Sequence, residues 1–333
     1  MEGPLSNVRR IVVLLGGDSS EREISLQSGR AVADALTERG YAVTCVDPHE
    51  TQVPQFPWQP GDVAFLALHG RYGEDGQVQR VLERADVPYT GSGPEASRVA
   101  FSKSSAKLEF LRYEVPTPAY VTIHQSNSIG RLRRLAEAVG YPLVAKPDQQ
   151  GSSLGVSLVE RPEQLHAALD QVFSFGTLGL LEKAVPGSEW TVGFLDGTPL
   201  PAIQIVTPHR FFDFEAKYTA DSTGYDFEGS VPVAQRERII RAALLACRSA
   251  GVTGLSRVDV RVDESGDPWV LEVNTVPGLT DHSLVPKAAA RLGWSLGELC
   301  ERSILSALSH FAARKNRTAP HIRTGIDPQR RAG

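Results

Sequence analysis

The sequence predicts a protein of the α/β (α+β) class that is divided into two or three domains. Residues 11–46 have the pattern strand, helix, strand, which is typical of the start of a parallel sheet. Residues 257–274 contain two alternating strands joined by a short Gly-containing turn, which predicts an antiparallel hairpin. The chain has 333 residues, more than one hydrophobic core ordinarily holds. We therefore expect more than one domain.

Composition and charge are those of an ordinary globular protein. The net charge is −4, so neither nucleic acid nor an anionic membrane is expected as a partner. No apolar run is long enough to span a bilayer and the N-terminus lacks the pattern of a signal peptide, so we expect a cytoplasmic protein. Cys45, Cys247 and Cys300 lie far apart without metal-type spacing, and we expect them to be reduced packing residues.

The first strand and helix are marked by local signals. Residues 11–15 form an apolar run that ends at Gly16, as in a buried parallel strand. Ser20 and Glu23 fit a capping box, and an amphipathic helix is expected from there to Gly40. The turn lacks both a G-x-G-x-x-G pattern and a P-loop lysine, which disfavours a dehydrogenase of the Rossmann type.

A ligand site is expected where the N-terminal strands end. The strand at residues 63–68 leads into His69 and a turn with three glycines in eight residues, whose backbone N–H groups can approach a ligand. Glu21 follows the first strand, and ligands of doubly wound sheets bind beyond the carboxyl ends of strands. Glu21 and His69 are therefore candidates, although a plain turn with Glu21 capping its helix fits equally well.

The middle of the chain predicts a phosphate site. Lys146 lies near the end of a strand at residues 141–147, and a loop of small residues follows at 149–156. Such loops bind phosphates with free N–H groups and hydroxyls, here those of Ser152 and Ser153. A flexible hairpin loop looks similar, and it is the coupling to Lys146 that favours phosphate. Lys103, on the preceding helix, is a candidate only in this context.

Two carboxylates follow in the same region. Glu182 lies on a strand at residues 178–185, and Glu189 lies on the next strand. Carboxylates in these positions can accept hydrogen bonds from a ribose or from an adenine edge. Exposed charges on a hairpin are the alternative interpretation.

The hairpin at residues 257–274 predicts a metal site. Glu272 and Asn274 share one face of their strand because side chains alternate, and Asp259 can point to the same spot from the other strand. Carboxylate and amide oxygens suit Mg²⁺, usually with waters and substrate phosphates completing the shell. A solvated hairpin with a polar outer face remains the alternative.

Two segments are predicted to be irregular. Residues 219–230 are polar, contain two glycines and lack a helical or strand period, which is typical of an active-site lid but also of a surface loop. The last helices are expected to end near residue 314. Residues 315–333 are basic and almost free of apolar side chains, so we expect a disordered tail.

Over residues 9–310 the chain resembles the D-alanine-D-alanine ligases of the ATP-grasp superfamily. The motifs that carry the resemblance are LLGGDSSEREISL, ALHGRYGEDGQVQ, PYTGSG, the Lys146 strand with QGSSLGVS, FEAKY, GLSRVDV and LEVNTVPGLTDHSLVP. Several separate signatures in the right order make this resemblance far more specific than one glycine loop. We therefore use the motifs of this family to predict the roles of the remaining functional residues.

The resemblance implies a three-domain ATP-grasp fold with ATP held between the last two domains. It implies an N-terminal Rossmann-like α/β substrate domain (1–100), a central subdomain (101–186), and a C-terminal subdomain with the metal site (187–314). The implied enzyme is an ATP-dependent, ADP-forming ligase that joins two D-alanines through a D-alanyl phosphate, for peptidoglycan precursors. Its implied cofactors are two Mg²⁺ ions, which Mn²⁺ could replace, and its implied assembly is a homodimer.

Matching the motifs residue by residue implies a role for each candidate. The implied ATP-binding residues are Lys103, Lys146, Ser152, Ser153, Glu182, Lys183, Val185, Glu189, Lys217 and Glu272. The implied metal ligands are Asp259, Glu272 and Asn274. The implied catalytic residues are Glu21, Ser152, Tyr218, Arg257 and Gly278. The D-alanines are expected to contact Glu21, His69, Ser283 and Leu284.

Tyr218 bears on the choice of second substrate. Relatives that make the ester D-alanyl-D-lactate lack the corresponding tyrosine, so its presence favours the dipeptide. A D-alanine-D-lactate or D-alanine-D-serine ligase, and a non-catalytic nucleotide-binding relative, are the alternatives. The chain departs from the family pattern in positions that bear on adenine packing and lid closure, namely Gln150, Ala184, Phe212, Phe214 and Val276.

Overall fold

The computed structural model describes residues 5, 7–206, 224–227 and 231–318, and it contains three sheets. The first sheet is parallel, with the strand order β2-β1-β3. Its elements are β1 (Arg10–Leu14), α1 (Arg22–Glu38), β2 (Val43–Val46), the 3₁₀ helix Val53–Gln55, β3 (Asp62–Leu66) and α2 (Gln77–Arg84). The predicted strand–helix–strand start is confirmed.

The second sheet is antiparallel, with the order β4-β7-β5-β6. Two helices precede it, α3 (Pro94–Phe101) and α4 (Lys103–Arg112). Its elements are β4 (Tyr120–His124), α5 (Ile129–Val139), β5 (Leu143–Pro147), β6 (Ser157–Val159), the 3₁₀ helix Pro162–Gln164, α6 (Leu165–Ser174) and β7 (Leu178–Lys183). The small-residue loop lies between β5 and β6, as predicted.

The third sheet is also antiparallel, with the order β11-β10-β8-β12-β13 and β9 paired to β8. Its strands are β8 (Ser188–Leu195), β9 (Thr198–Pro199), β10 (Ile203–Val206), β11 (Gly224–Asp226), β12 (Leu255–Val262) and β13 (Pro268–Asn274). The helices of this part are α7 (Val233–Ser249), α8 (Leu284–Ala290) and α9 (Leu296–Thr318). The predicted hairpin is confirmed as β12 and β13.

Alternation along β8 and β12 separates a core face from a polar face. Trp190 on β8 and Val258 and Val260 on β12 are fully buried in a cluster that also contains apolar residues of α4 and α7. The residues between them point the other way, so Thr191 on β8 lies opposite Asp259 on β12. The apolar face fixes the sheet, and the polar face is thereby presented to the rest of the molecule.

The last helix packs on the first helix rather than on the third sheet alone. Arg39 and Tyr41 follow α1, and they donate to Glu301 of α9 at 2.7 and 2.6 Å. Cys300 and Ile304 of α9 share a buried cluster with the strands of the first sheet. The C-terminal helix therefore ties the two ends of the described chain together.

Four local expectations need correction. Helix α9 continues to Thr318, so residues 315–318 are helical, and residues 319–333 lie outside the described part. Residues 224–226 form β11, so the segment 219–230 is not irregular throughout. The three cysteines are free as expected, but Cys45 is exposed and does not pack. The fourth correction concerns the start of α1.

The predicted capping box of α1 does not form. Glu21 occupies the N-cap position, and its side chain makes no capping hydrogen bond. The hydroxyl of Ser20 instead accepts from the side-chain amide of Gln150 at 2.6 Å, and Glu23 is exposed. The box does not form because the helix begins at Arg22, which makes Glu21 rather than Ser20 the N-cap residue. Within the described ranges, none of the helices is long and apolar enough to cross a membrane.

Candidate active site

Two neighbouring pockets share three residues of their linings, Lys103, Gln150 and Glu272. The first pocket is lined by residues that include Glu21, His69, Ser152, Arg257, Asn274, Gly278, Ser283 and Leu284. The second pocket is lined by residues that include Lys146, Ser153, Glu182, Lys183, Val185, Glu189 and Asp259. Lys103 and Glu272 line both pockets, and Lys103 Nζ lies 3.0 Å from Glu272 Oε2. Burial alone would lower the pKa of Lys103, but the nearby carboxylates, Glu272 first among them and then Asp148 and Glu21, together raise it above its usual value.

Glu21 lies against the small-residue loop in the first pocket. Its Oε1 accepts a short hydrogen bond from the hydroxyl of Ser152. A Cβ on Gly151 would stand only 2.6 Å from Oε2, so a larger residue here would displace the Glu21 carboxylate. Burial, with a further contribution from the carboxylate of Glu74, raises the pKa of Glu21, while the Ser152 hydrogen bond lowers it. The first pocket therefore holds a carboxylate whose negative charge is poorly stabilised by the protein.

His69 is fixed from both sides of its ring. Nε2 lies 3.2 Å from the hydroxyl of Ser28, and Nδ1 lies 3.7 Å from Glu74 Oε1. The same Glu74 oxygen accepts from the backbone N–H of Gly70 at 2.9 Å. The sequence pattern did not indicate Glu74, although it lies in the same glycine-rich turn as His69. Its offset of five residues from His69 gave no periodic signal.

The small-residue loop joins both pockets through two consecutive serines. Ser152 and Ser153 have φ values of 51° and 57°, in the left-handed region that costs a non-glycine residue about 1–2 kcal/mol. Ser152 lines the first pocket and Ser153 lines the second. Lys103 Nζ donates to the carbonyl of Gln150 at 2.7 Å and so ties the loop to α4. Strain of this kind persists only where the surroundings hold it, and such positions cluster at ligand-binding sites.

The polar face of the hairpin has the side chains that the sequence predicted. Asp259 pairs across the strands with Glu272, and Arg257 pairs with Asn274. The guanidinium of Arg257 donates to both oxygens of Asp259, from Nε at 2.9 Å and from the terminal nitrogen at 2.8 Å. Thr191 also donates to Asp259, at 2.7 Å. The three predicted metal ligands are thus adjacent, two of them bordering the second pocket.

The described residues contain no group of three or more His, Cys, Asp or Glu side chains that could hold a metal ion. The predicted set has two carboxylates, and its third member is the amide of Asn274. The amide oxygen accepts from the backbone N–H of Val276 at 2.9 Å, which fixes the orientation of the side chain.

Glu182 lies between two lysines at the back of the second pocket. Its Oε1 is 2.8 Å from Lys146 Nζ, and its Oε2 is 2.5 Å from Lys107 Nζ. Burial alone would raise the pKa of Glu182, but the two lysines outweigh it and lower the pKa. The carboxylate is therefore engaged by the protein, and its role as an acceptor for ribose or adenine stays a prediction.

The opposite wall of the second pocket is formed around Arg261. This side chain donates to the carbonyls of Val185 and Gly187 at 3.2 and 2.8 Å and lies 3.4 Å from Glu189. Lys183 lines the pocket, but its ammonium donates to the carbonyls of Gly140 and Tyr141. Arg261 could have been found from sequence, because it follows Arg257 and Asp259 at intervals of two.

The structure brings together every predicted site residue that it describes. Each lines at least one of the two pockets. Lys217 and Tyr218, with Phe212 and Phe214, lie outside the described residues. Lys107 is a further residue that the sequence did not single out, because a lysine four residues after Lys103 looks like an ordinary solvated helix position.

Comparison with solved structures defines the class of protein. A D-alanine–D-alanine ligase from Bacillus anthracis is similar with a TM-score of 0.82 and 33% identity, over 92% of this chain and all of that one. The same ligase complexed with ATP gives a TM-score of 0.81 and 31% identity, with the same coverage. Together with the three sheets and the paired pockets, these likenesses define an ATP-grasp enzyme.

Comparison of sequences then gives the family. The family model described as the D-ala D-ala ligase C-terminus matches residues 110–305, and the one described as the D-ala D-ala ligase N-terminus matches residues 48–92. A D-alanine–D-alanine ligase from Alkalilimnicola ehrlichii is 43% identical over 92% of this chain and 96% of that protein. The chain belongs to the D-alanine–D-alanine ligase family.

Proposed function

We propose that this enzyme joins two D-alanine molecules at the expense of ATP and supplies the dipeptide for peptidoglycan precursors. The observation that carries the proposal is that the two pockets meet at Lys103 and Glu272. A phosphoryl group can pass from a nucleotide to an acceptor only if the two are held in line and close together. Two neighbouring pockets with a shared, charged border support such an arrangement.

The first pocket is proposed to hold the amino acids. Glu21 would bind the ammonium of the first D-alanine, because a buried carboxylate attracts a cation more strongly than a solvated one does. His69, fixed by Ser28 and Glu74, would lie near that substrate's carboxylate. Ser283 and Leu284 would hold the second D-alanine at the start of α8.

The second pocket is proposed to hold ATP. Lys103 and Lys146, with the Ser153 part of the loop, would bind the phosphates. Glu189 would accept from the ribose, and the pocket wall at Lys183 and Val185 would contact adenine. We infer that Glu182 acts on ATP chiefly by holding Lys146, whose Nζ lies 2.8 Å from its Oε1. Lys217 is proposed as the lid lysine for the γ-phosphate.

The residues present fit the proposed Mg²⁺ ions. Asp259, Glu272 and Asn274 offer only oxygen donors on adjacent strands at the border of the nucleotide pocket, which is the ligand type that Mg²⁺ or Mn²⁺ takes. The ion pairs with Arg257 and Lys103 use part of each carboxylate's acceptor capacity, since a carboxylate has about four lone-pair sites. Two bound ions would neutralise charge between the phosphates during transfer.

The proposed reaction has two steps. A carboxylate oxygen of the first D-alanine attacks the γ-phosphorus, the bond to ADP breaks, and D-alanyl phosphate forms. The amine of the second D-alanine then attacks the acyl carbon, loses a proton, and phosphate leaves. Arg257 and the N–H of Gly278, which both line the first pocket, are proposed to stabilise the oxyanion of the second step. We propose that a hydrogen-bonded set of Glu21, Ser152 and Tyr218 closes the predicted lid over the substrates.

Phosphate release by the purified protein with Mg-ATP tests the proposal. D-alanine, L-alanine, and D-alanine with D-lactate or D-serine would be compared, and products identified by mass. Turnover with D-alanine alone, giving the dipeptide, is the expected result. Turnover only after addition of D-lactate or D-serine would instead favour the alternative ligases. Binding of ATP without turnover on any substrate would indicate a non-catalytic relative.

The wider setting follows from the same proposal. We propose a cytoplasmic homodimer, acting on small molecules rather than on nucleic acid or membrane. We also propose that the three sheets mark three domains at residues 1–100, 101–186 and 187–314, with α9 packing back on the first. Gel filtration with light scattering would test the dimer, and limited proteolysis would test the boundaries.

A further inference from the structure

We infer that Lys107 is a positioning residue that orients Lys146 and keeps a net positive charge beside the second pocket, by holding the opposite oxygen of Glu182. The ligand, a nucleoside triphosphate, is the one given by the proposed function, and the inference rests on that function. Lys107 does not line either pocket, whereas Lys146 and Glu182 line the second. Any effect of Lys107 on the ligand therefore acts through other side chains.

The contacts of Lys107 form a link between two sheets. Its side chain is fully buried, and its Nζ lies 2.5 Å from Glu182 Oε2 and 2.5 Å from the hydroxyl of Thr117. Thr117 in turn donates to the carbonyl of Val270 on β13, at 2.8 Å. Glu182 belongs to the second sheet and Val270 to the third, so one ammonium group connects the two walls between which the second pocket lies.

The same helix face also reaches the shared border of the pockets. Lys103 and Lys107 are four residues apart on α4 and therefore lie on one face, one turn apart. Lys103 contacts Glu272 of β13, while Lys107 contacts Glu182 of β7. Helix α4 thus places one lysine at the border and another behind the pocket wall.

The charge balance gives Lys107 a role beyond support. Without Lys107, the ion pair of Lys146 and Glu182 would be neutral and would attract phosphates only weakly. With Lys107 on the other oxygen, the group of two lysines and one carboxylate has one net positive charge. Because the group is buried, this charge is weakly screened and acts on the pocket.

A purely structural role would be different. A buried carboxylate needs a partner, and Lys107 could exist only to satisfy Glu182. In that case Lys107→Met would lower the free energy of unfolding but leave the Mg-ATP affinity of the folded protein unchanged. In our proposal the decisive quantity is instead the net charge beside Lys146, which variants can change in both directions.

The test measures Mg-ATP affinity of the full chain at pH 7 by titration calorimetry. Lys107→Met leaves a neutral pair, and we expect the dissociation constant to rise about tenfold, which corresponds to about 1.4 kcal/mol. The double variant Lys107→Met with Glu182→Gln restores one net positive charge, and we expect it to recover most of that loss. Thr117→Val keeps the charge and should weaken binding less than Lys107→Met does.

Lys315→Met is the matched control for loss of a lysine. Lys315 lies on α9 beside Asp86, away from both pockets, and its removal should leave Mg-ATP affinity unchanged. Urea unfolding of every variant identifies any that is not folded. Should Lys107→Met not fold, Lys107→Gln, which keeps a hydrogen-bond donor, takes its place alone and in the double variant.

Three outcomes would overturn the inference. They are unchanged affinity in the Lys107 variant, a double variant that binds as weakly as the single one, and a Lys315 control that weakens binding equally. If the wild-type protein binds Mg-ATP but does not ligate D-alanine, the proposed function is contradicted, and the inference about Lys107 can still be tested. Wild-type protein that does not bind Mg-ATP would overturn both.

Discussion

Glu21 and Glu182 are buried carboxylates on the walls of adjacent pockets, and their pKa values are shifted in opposite directions. The pKa of Glu21 is raised by burial and by the nearby Glu74. The pKa of Glu182 is lowered because Lys107 and Lys146 outweigh burial. Burial is thus common to both side chains, and the charged neighbours decide the sign.

The comparison separates two uses of a buried charge. Glu182 has its partners within the folded protein, so its ionised form is part of the structure before any ligand arrives. Glu21 has a serine and a second carboxylate beside it, so its ionised form is under-stabilised until a cation binds. A site that binds an ammonium group benefits from such a carboxylate, because the substrate supplies the missing charge.

The largest expected effect is that of Glu182→Gln on stability. The change leaves Lys107 and Lys146 buried without their shared counter-ion, and breaking a buried pair commonly costs about 3–5 kcal/mol. Urea unfolding at pH 7 measures the loss. Glu95→Gln, which removes an exposed partner of Arg98, is the matched control and should change stability by less than about 0.5 kcal/mol. Equal losses in the two variants would contradict the comparison.

The same substitution at Glu21 should have the opposite effect on stability. Because the folded-state pKa of Glu21 is raised, ionisation at neutral pH opposes folding, and this cost disappears only as pH falls below the unfolded value. Glu21→Gln should therefore retain or increase the free energy of unfolding at pH 8. Its kcat/KM for D-alanine should fall by the equivalent of about 1.5–3 kcal/mol of transition-state stabilisation, the range for a hydrogen bond to a charged group. A destabilised but active variant would refute this role.

A smaller effect concerns the stability of the Lys107 variant at different pH values. Burial lowers the pKa of Lys107 to about 8, whereas an unfolded lysine keeps a pKa near 10.5. Between these values the unfolded chain binds more protons, so this group makes stability rise with pH. The stability of wild type relative to Lys107→Met should increase between pH 8 and pH 9.5. Urea unfolding of both proteins at the two pH values measures it, and a constant difference would contradict the shift.

The smallest expected effect is on the acid limb of activity. Glu74→Gln removes a negative neighbour, so the pKa of Glu21 should fall and the acid limb of kcat/KM for D-alanine should move to lower pH. Ser152→Ala removes a hydrogen bond that stabilises the ionised form, so it should move the limb to higher pH. Profiles of kcat/KM against pH for both variants give the two directions. Shifts of the same sign would mean that another group sets the limb.

Much of the site was predictable because its signals are local. The apolar alternation of β12 and β13 fixes which residues share a face, and this places Asp259, Glu272 and Asn274 together. The order of the family motifs added roles that no periodicity contains. The capping box was predicted wrongly because the helix begins with Glu21 as its N-cap, and the hydroxyl of Ser20 instead accepts from Gln150 of a distant loop.

The sequence by itself determined the class of fold, the elements that carry the site and most of the residues in it, since strand period, glycine turns and motifs act within a few residues. Only the tertiary structure decided which charges meet. Ser152 reaches Glu21 across 131 positions, and Arg39 reaches Glu301 across 262. Lys107 looks solvated in the sequence, yet it is buried against Glu182. Such contacts depend on how separate sheets pack, and the resulting balance of burial and charge is not encoded by any local pattern.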